Sequence, residues 1–264
     1  MTRSGRRRAM KHTRRWRIVE MVCLAVFALA LFMMAGRLVS QRKIAEEERD
    51  AAAYLQQMEN SLKADQENSV PEMQREVQPA IQKLLEQNDD AVGLLSFEDD
   101  RTLYVCQAED NYYYMTHRFD GSEDPAGMVF MDYRNTLSPR SDNLILYGHN
   151  MRDGSRFGTL GKFREMEYVL QYPVFTFADL YDTVEYVPFA VFTTTVLKDD
   201  PAYFAFDQTD FADAEAFNAY VDAVRERSEL DFPVEVKYGN RLLTLATCAS
   251  DYERGRLVIV CRAK

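Results

Sequence analysis

Three residues whose types can together transfer an acyl group stand at the ends of apolar runs in this chain. Cys248 closes the run Leu242-Leu-Thr-Leu-Ala-Thr-Cys248, after which the sequence turns polar (Ala-Ser-Asp-Tyr-Glu-Arg-Gly). Arg256 opens the run Arg256-Leu-Val-Ile-Val-Cys261, eight residues further on. That spacing suits a loop between two adjacent strands, with Cys248 and Arg256 at the same end of the pair. His149 follows a third run, Leu144-Ile-Leu-Tyr-Gly-His-Asn150. A strand end that opens into a loop is where a polar group can face a cleft. A thiol attacks as its thiolate, an imidazole moves protons, and a guanidinium stabilises an oxyanion or positions a carbonyl.

Each of these residues also has a plainer reading. A cysteine can be a buried structural thiol or half of a disulfide. The four cysteines, at 23, 106, 248 and 261, form no CxxC pair, so neither a zinc ribbon nor a dense disulfide framework is expected, and no metal. Cys106 and Cys261 sit inside apolar runs and read as packed hydrophobes; a bridge between them is open but has no positive sign. Of the three histidines, His12 lies in a basic N-terminal head and His117 in a Tyr-rich loop with no apolar strand behind it. His117 reads as a surface or packing residue.

The elements that must position such a site are mostly strands. From Ala91 onward, short runs rich in Val, Ile, Phe, Tyr and Thr recur: Val92–Phe97, Thr102–Gln107, Met128–Tyr133, Asn143–Tyr147, Val174–Phe177, Val184–Thr195, Arg241–Thr247 and Arg256–Cys261. Helical segments are expected over about 157–169 and 212–227, and in the second Phe217, Tyr220, Val221 and Val224 share a face. Strands that do not alternate regularly with helices argue against a doubly wound parallel sheet and for a closed or nearly closed β-barrel.

Ahead of this body the charge is strongly divided. Residues 1–17 hold eight of the 32 basic residues and no acid. The remaining 24 basic residues face all 42 acidic ones, so the rest of the chain carries −18 and is no general nucleic-acid binder. Met21 to Gly36 run 16 positions without a polar side chain. With Ile18, Val19 and Glu20 the segment would rise about 28 Å as a helix, close to the hydrocarbon thickness of a bilayer. Basic residues on its N-terminal side predict a cytoplasmic N-terminus and an external body. An uncleaved anchor is preferred to a cleaved signal, because the small-residue site Ala28-Leu29-Ala30 lies inside the apolar run. The expected organisation is a cytoplasmic head (1–17), a transmembrane anchor (18–36), a polar helical stalk (37–74) and an external domain (75–264). Pro71 should break the stalk, and Pro79 should kink or divide the next helical segment. Ile81, Leu84 and Leu85 can pack on the external domain. The stalk lacks a sustained apolar heptad, so a monomer is expected.

The strings Leu146-Tyr-Gly-His-Asn-Met151 and Asp153-Gly-Ser-Arg-Phe157 resemble the histidine motif of class B sortases. Thr244-Leu-Ala-Thr-Cys248 resembles the sortase TLxTC signature, and Gly255-Arg256 before Leu-Val-Ile-Val its arginine strand. Asp110-Asn-Tyr-Tyr-Tyr114 and Gly127-Met-Val-Phe-Met-Asp-Tyr-Arg134 fit as well, so the resemblance covers about residues 75–264. Gly93-Leu-Leu-Ser-Phe97 departs from the Gly-Trp segment common in the family.

The resemblance implies an eight-stranded sortase-type β-barrel with a few peripheral helices. It implies a Gram-positive, membrane-anchored cysteine transpeptidase that needs no cofactor. Such an enzyme cleaves a Pro-containing C-terminal sorting signal of a secreted protein and passes the acyl group to a cell-wall amine. Carried over by position, Cys248 is the nucleophile, His149 the general acid and base, and Arg256 the group that binds a carbonyl or oxyanion. The backbone N–H of Ala249 would complete the oxyanion hole, Asn150 would orient His149 or bind substrate, and the segment from about 196 to 227 would form much of the groove. Arg254 is the competing arginine. A papain-like peptidase is disfavoured because His149 precedes Cys248. The remaining alternatives are a pilin-polymerising sortase, which often carries a C-terminal membrane helix not seen after the last strand here, and a silent binding module on the same barrel.

Overall fold

The computed structural model describes residues 3–62, 75–97 and 101–264, with backbone alone for 3–20, 22 and 54–62, so the expected break at Pro71 lies outside the described residues. The chain divides into two units, Met1–Glu46 and Glu47–Lys264. The first is made by the N-terminal part of helix α1 (Arg3–Leu62). This is the one helix among the described residues long and apolar enough to cross a membrane. Its Leu24, Phe27 and Phe32 side chains are exposed, an arrangement that water disfavours and lipid does not.

The second unit is a closed barrel. Its strands are β1 (Ala91–Phe97), β2 (Thr102–Cys106), β3 (Val129–Met131), β4 (Asn143–Tyr147), β5 (Phe175–Asp179), β6 (Thr183–Thr195), β7 (Leu242–Ala249) and β8 (Gly255–Ala263). Around the barrel the order is β1-β2-β3-β4-β7-β8-β6-β5. Two neighbouring pairs are parallel, β2 with β3 and β4 with β7, and the others are antiparallel. Closure leaves no open sheet edge. Leu95, Val105, Leu144, Phe177, Phe192, Leu243 and Ile259 belong to one buried core cluster. The eight expected runs are these eight strands, with no end moved by more than two residues. Cys106 and Cys261 are buried and free, so no bridge joins them.

Three helices flank the barrel. Helix α2 (Pro79–Leu85) begins at Pro79 rather than being kinked by it. At the first helical position the missing N–H has no intrahelical partner to lose, and the ring presets φ. Ile81 and Leu84 are completely buried, each contributing about 1.5–3 kcal/mol of apolar burial. The helix expected over 157–169 is instead a short 3-10 turn, Leu160–Arg164, followed by α3 (Met166–Gln171). Glu165 between them is extended, with φ −110° and ψ 119°, and interrupts the helical ladder. Helix α4 (Ala214–Arg227) is capped by the Asp213 carboxylate, which accepts from the Ala216 N–H. It buries the expected face of Phe217, Tyr220, Val221 and Val224.

Candidate active site

The barrel's strand order gathers the three candidate residues. Strands β4 and β7 are parallel, with Tyr147 paired to Ala246, so both leave the barrel at the same rim and continue to His149 and Cys248 respectively. Strand β8 runs antiparallel to β7, with Arg256 directly opposite Cys248 and Gly255 opposite Ala249. His149, Cys248 and Arg256 all line one cleft of about 370 Å³. Arg254 lies outside β8, in the preceding turn with φ 51°. Strand alternation therefore does not extend to it, and Arg256 is the arginine across from the thiol.

Local contacts fix the histidine. Its Nε2 lies 2.8 Å from the Met115 carbonyl oxygen. A carbonyl only accepts, so Nε2 carries the hydrogen and Nδ1 is the ring nitrogen able to accept one. The His149 carbonyl accepts from the Phe157 N–H at 3.0 Å, folding the loop back on itself. Asn150 does not hold the imidazole: its side-chain amide donates to the Cys248 carbonyl at 2.9 Å, tying the histidine loop to the cysteine strand. Thr247 does the same from the other side, donating from its hydroxyl to the Gly148 carbonyl at 2.7 Å. Met115 is itself placed by Gly127, whose φ is +51°. A Cβ there would lie 2.6 Å from the Met115 carbonyl oxygen, so only glycine lets the two backbones approach.

Cys248 is exposed, whereas Cys106 and Cys261 are buried. Burial pushes both of those thiols far up, which keeps them as unreactive thiols. Arg256 is half-buried and donates to the Gly255 carbonyl at 3.0 Å, leaving other N–H groups of its fork for a ligand.

One wall of the cleft is a polar network. Tyr147, which lines the cleft, donates from its hydroxyl to Asp132. Burial pushes that phenol up, and the nearby carboxylates of Asp132 and Asp207 push it further, so it stays protonated. Asp132 is fully buried. Burial alone would raise its carboxyl, but paired hydrogen bonds from Arg134 and the Tyr147 hydroxyl hold it below the ordinary carboxylate range. Arg134 also reaches Asp207, another cleft residue, at 2.7 Å. The other walls include Tyr112, Met115, Val196, Tyr203, Phe204 and Phe206. Residues between 196 and 207 thus line the cleft, whereas α4 packs against β6.

The chain is 35% identical to Sortase B of Listeria monocytogenes over 187 residues, 70% of this chain and 74% of that protein. It belongs to the sortase B family. Sortase B of Staphylococcus aureus is 28% identical over 192 residues, covering 72% of this chain and 76% of that one. A crystal structure of sortase B from B. anthracis in complex with AAEK1 superposes with a TM-score of 0.63 at 31% identity, covering 71% of this chain and 85% of that chain. No protein-family model matches. The chain is thus a class B sortase with the transpeptidase function of that family and the eight-stranded barrel that the motifs imply.

Several residues of this sortase site carry no sequence signal that would single them out. Met115 acts through its carbonyl, which any residue has. Tyr147 stands in the quoted histidine motif and Asn111 in the quoted tyrosine string, yet only the fold turns them to the cleft. Asp132 and Asp207 are 75 residues apart in sequence and are joined through Arg134.

Proposed function

We propose that this sortase cuts a Pro-containing C-terminal sorting signal and joins the acyl part to a cell-wall amine through a thioester on Cys248. The single observation that carries this reading is the pairing of Cys248 with Arg256 across β7 and β8, in the cleft that His149 also lines. The Cys248 thiolate attacks the scissile carbonyl carbon, and the oxygen takes the negative charge. Arg256 and the Ala249 N–H bind that oxygen or a neighbouring substrate carbonyl. The C–N bond then breaks, and the leaving amine takes a proton from the His149 imidazolium. The incoming amine gives a proton back to the imidazole as it attacks the thioester, and the thiolate departs. Water in place of the amine would make the enzyme a thiol peptidase. Asn150 serves this chemistry by holding the Cys248 carbonyl.

The topology proposed with it puts residues 1–17 inside the cell, 18–36 in the membrane and the barrel outside. Its support is the basic head before an apolar, exposed helix. A protease added to intact cells should cut the external part and spare the head; a mature protein beginning near Gly36 would remove the anchor. The chemistry is tested with a panel of quenched Asn-Pro-type pentapeptides and a free amine acceptor. Cleavage of one motif, with the acyl fragment recovered on the amine, is expected. A folded Cys248→Ala variant that still cleaves would overturn it.

A further inference from the structure

The polar stretch after the apolar segment of α1 holds a glutamate in an unusual position. Glu47 places one carboxylate oxygen 2.5 Å from Arg118 and the other 3.0 Å from Arg156. Both arginines are buried, their side chains 3% and 1% exposed. Arg118 also has Asp124 at 3.1 Å, but Glu47 is the only ion-pair partner of Arg156 among the described residues. A buried guanidinium without a counter-charge is costly, so this carboxylate is not an incidental surface pairing. Ala51, one turn further along α1, is completely buried, which fixes the helix at this point.

The two arginines stand on the two loops that hold His149. Arg118 lies in the β2–β3 loop, three residues after Met115, whose carbonyl takes the imidazole Nε2–H. Arg156 lies in the loop that begins with His149. Its backbone forms an isolated antiparallel β-bridge with Asn150, it holds a left-handed φ of 52°, and the next residue, Phe157, donates its N–H to the His149 carbonyl. One loop therefore fixes the ring and the other fixes the backbone of the same residue, and a single carboxylate joins them.

We infer that Glu47 is a positioning residue for His149, clamping the Met115 loop to the His149–Arg156 loop so that the imidazole keeps its ring orientation. This rests on the assignment of His149 and Cys248 to the chemistry. Glu47 touches neither of them and acts only through the two arginines. Part of the helix that carries the apolar segment is then a working part of the enzyme.

The test uses the full chain in detergent micelles, with Glu47→Gln and Glu47→Asp beside the parent, at a temperature where thermal melts show each variant folded. Glutamine keeps the shape and loses the charge; aspartate keeps the charge but, one methylene shorter, cannot span both arginines. With the best-cleaved Asn-Pro-type quenched peptide, Glu47→Gln is expected to lower kcat roughly tenfold or more with KM within about twofold. Glu47→Asp should fall between the two. Iodoacetamide labelling of Cys248, read by site-resolved mass spectrometry at neutral pH, should slow in the same order, since a displaced imidazole no longer favours the thiolate. Parent values of kcat and labelling rate in folded Glu47→Gln would overturn the inference. Should that variant not fold, parent values in Glu47→Asp would do so. Cys248→Ala run in parallel separates the two readings. Activity in Cys248→Ala removes the site assignment itself, whereas an inactive Cys248→Ala beside an unaffected Glu47→Gln removes only the clamp.

Discussion

Tyr147 and Ala246 face each other in the parallel ladder of β4 and β7, and two residues beyond each of them stand His149 and Cys248. Parallel neighbours advance in the same direction, so residues equally far past a matched pair leave the sheet at the same rim. An antiparallel β4–β7 pair would have sent the two ends to opposite rims of the barrel. The antiparallel β8 then returns Arg256 to the level of Cys248. Three strand ends thus bring His149, Cys248 and Arg256 to one cleft.

The thiols should separate by accessibility. Cys248 is exposed, and Cys106 and Cys261 are buried with their thiols pushed far up. Iodoacetamide should therefore modify Cys248 on the folded barrel and leave the other two untouched until denaturant is added. Cys248→Ala should abolish cleavage and transfer. Cys248→Ser should do nearly as much, because a hydroxyl is far less acidic and the site offers it no strong base. Labelling of Cys106 at a rate like that of Cys248 in the native protein would contradict the burial argument.

The arginines should separate by position. Arg256 lies opposite Cys248, whereas Arg254 sits in the turn before β8 with its backbone carbonyl accepting from the Val196 N–H. Arg256→Lys keeps the charge but loses the planar fork of donors, and a loss of roughly a hundredfold in kcat/KM is expected, the size seen when one oxyanion donor is removed. Arg254→Ala should stay within about threefold, since a surface side chain away from the reacting atoms is removed. The reverse order in steady-state assays would leave the barrel intact and exchange the two roles.

These two contrasts rest on features that the sequence displays well. Cys248, Arg256 and His149 each close, open or follow an apolar run, and short stretches rich in Val, Ile, Leu and Thr mark those runs from one sequence alone. Arg254 is harder to place, because strand periodicity extended backward puts it on the face of Arg256, and only the left-handed turn at Arg254 breaks the pattern. Pro79 reads as a helix breaker unless its position is known to be the first of the helix. The segment 157–169 has helix-forming residues, yet Glu165 leaves the helical region between two short pieces. Glu47 lies in a Glu-, Ala- and Lys-rich stretch that reads as a solvated face. Its partners Arg118 and Arg156 are 71 and 109 residues away, and that contact exists only in the fold.

Stability should depend on pH through Asp132. Its carboxyl is held below the usual range despite burial, by Arg134 and the Tyr147 hydroxyl. A depressed acid favours folding above its unfolded pKa, and this contribution is lost as pH falls through the folded value. Asp132→Asn should thus destabilise the barrel by about 1–3 kcal/mol at pH 7 in urea titrations. The gap between parent and variant should narrow as the pH is lowered past the ordinary aspartate range, near about 4. A gap that stayed constant from pH 7 to pH 3 would show that the charge of Asp132 contributes nothing.

The glycines of the β2–β3 loop offer a contrast between strain and displacement. Gly127 and Gly121 both have left-handed φ, at 51° and 75°. Alanine at either should cost about 1 kcal/mol of folding free energy for that backbone conformation. At Gly121 the added methyl would meet only the Tyr113 hydroxyl oxygen at 3.7 Å, an ordinary contact. At Gly127 it would meet the Met115 carbonyl oxygen at 2.6 Å, so the loop must shift the acceptor that holds the His149 ring. Gly121→Ala is expected to melt somewhat earlier and to turn over like the parent. Gly127→Ala should lose a further factor of roughly ten in kcat among molecules that remain folded, because a displaced ring no longer presents Nδ1 to the reacting groups. Equal kcat for the two variants, measured well below both melting temperatures, would mean that the Met115 carbonyl does not set the imidazole.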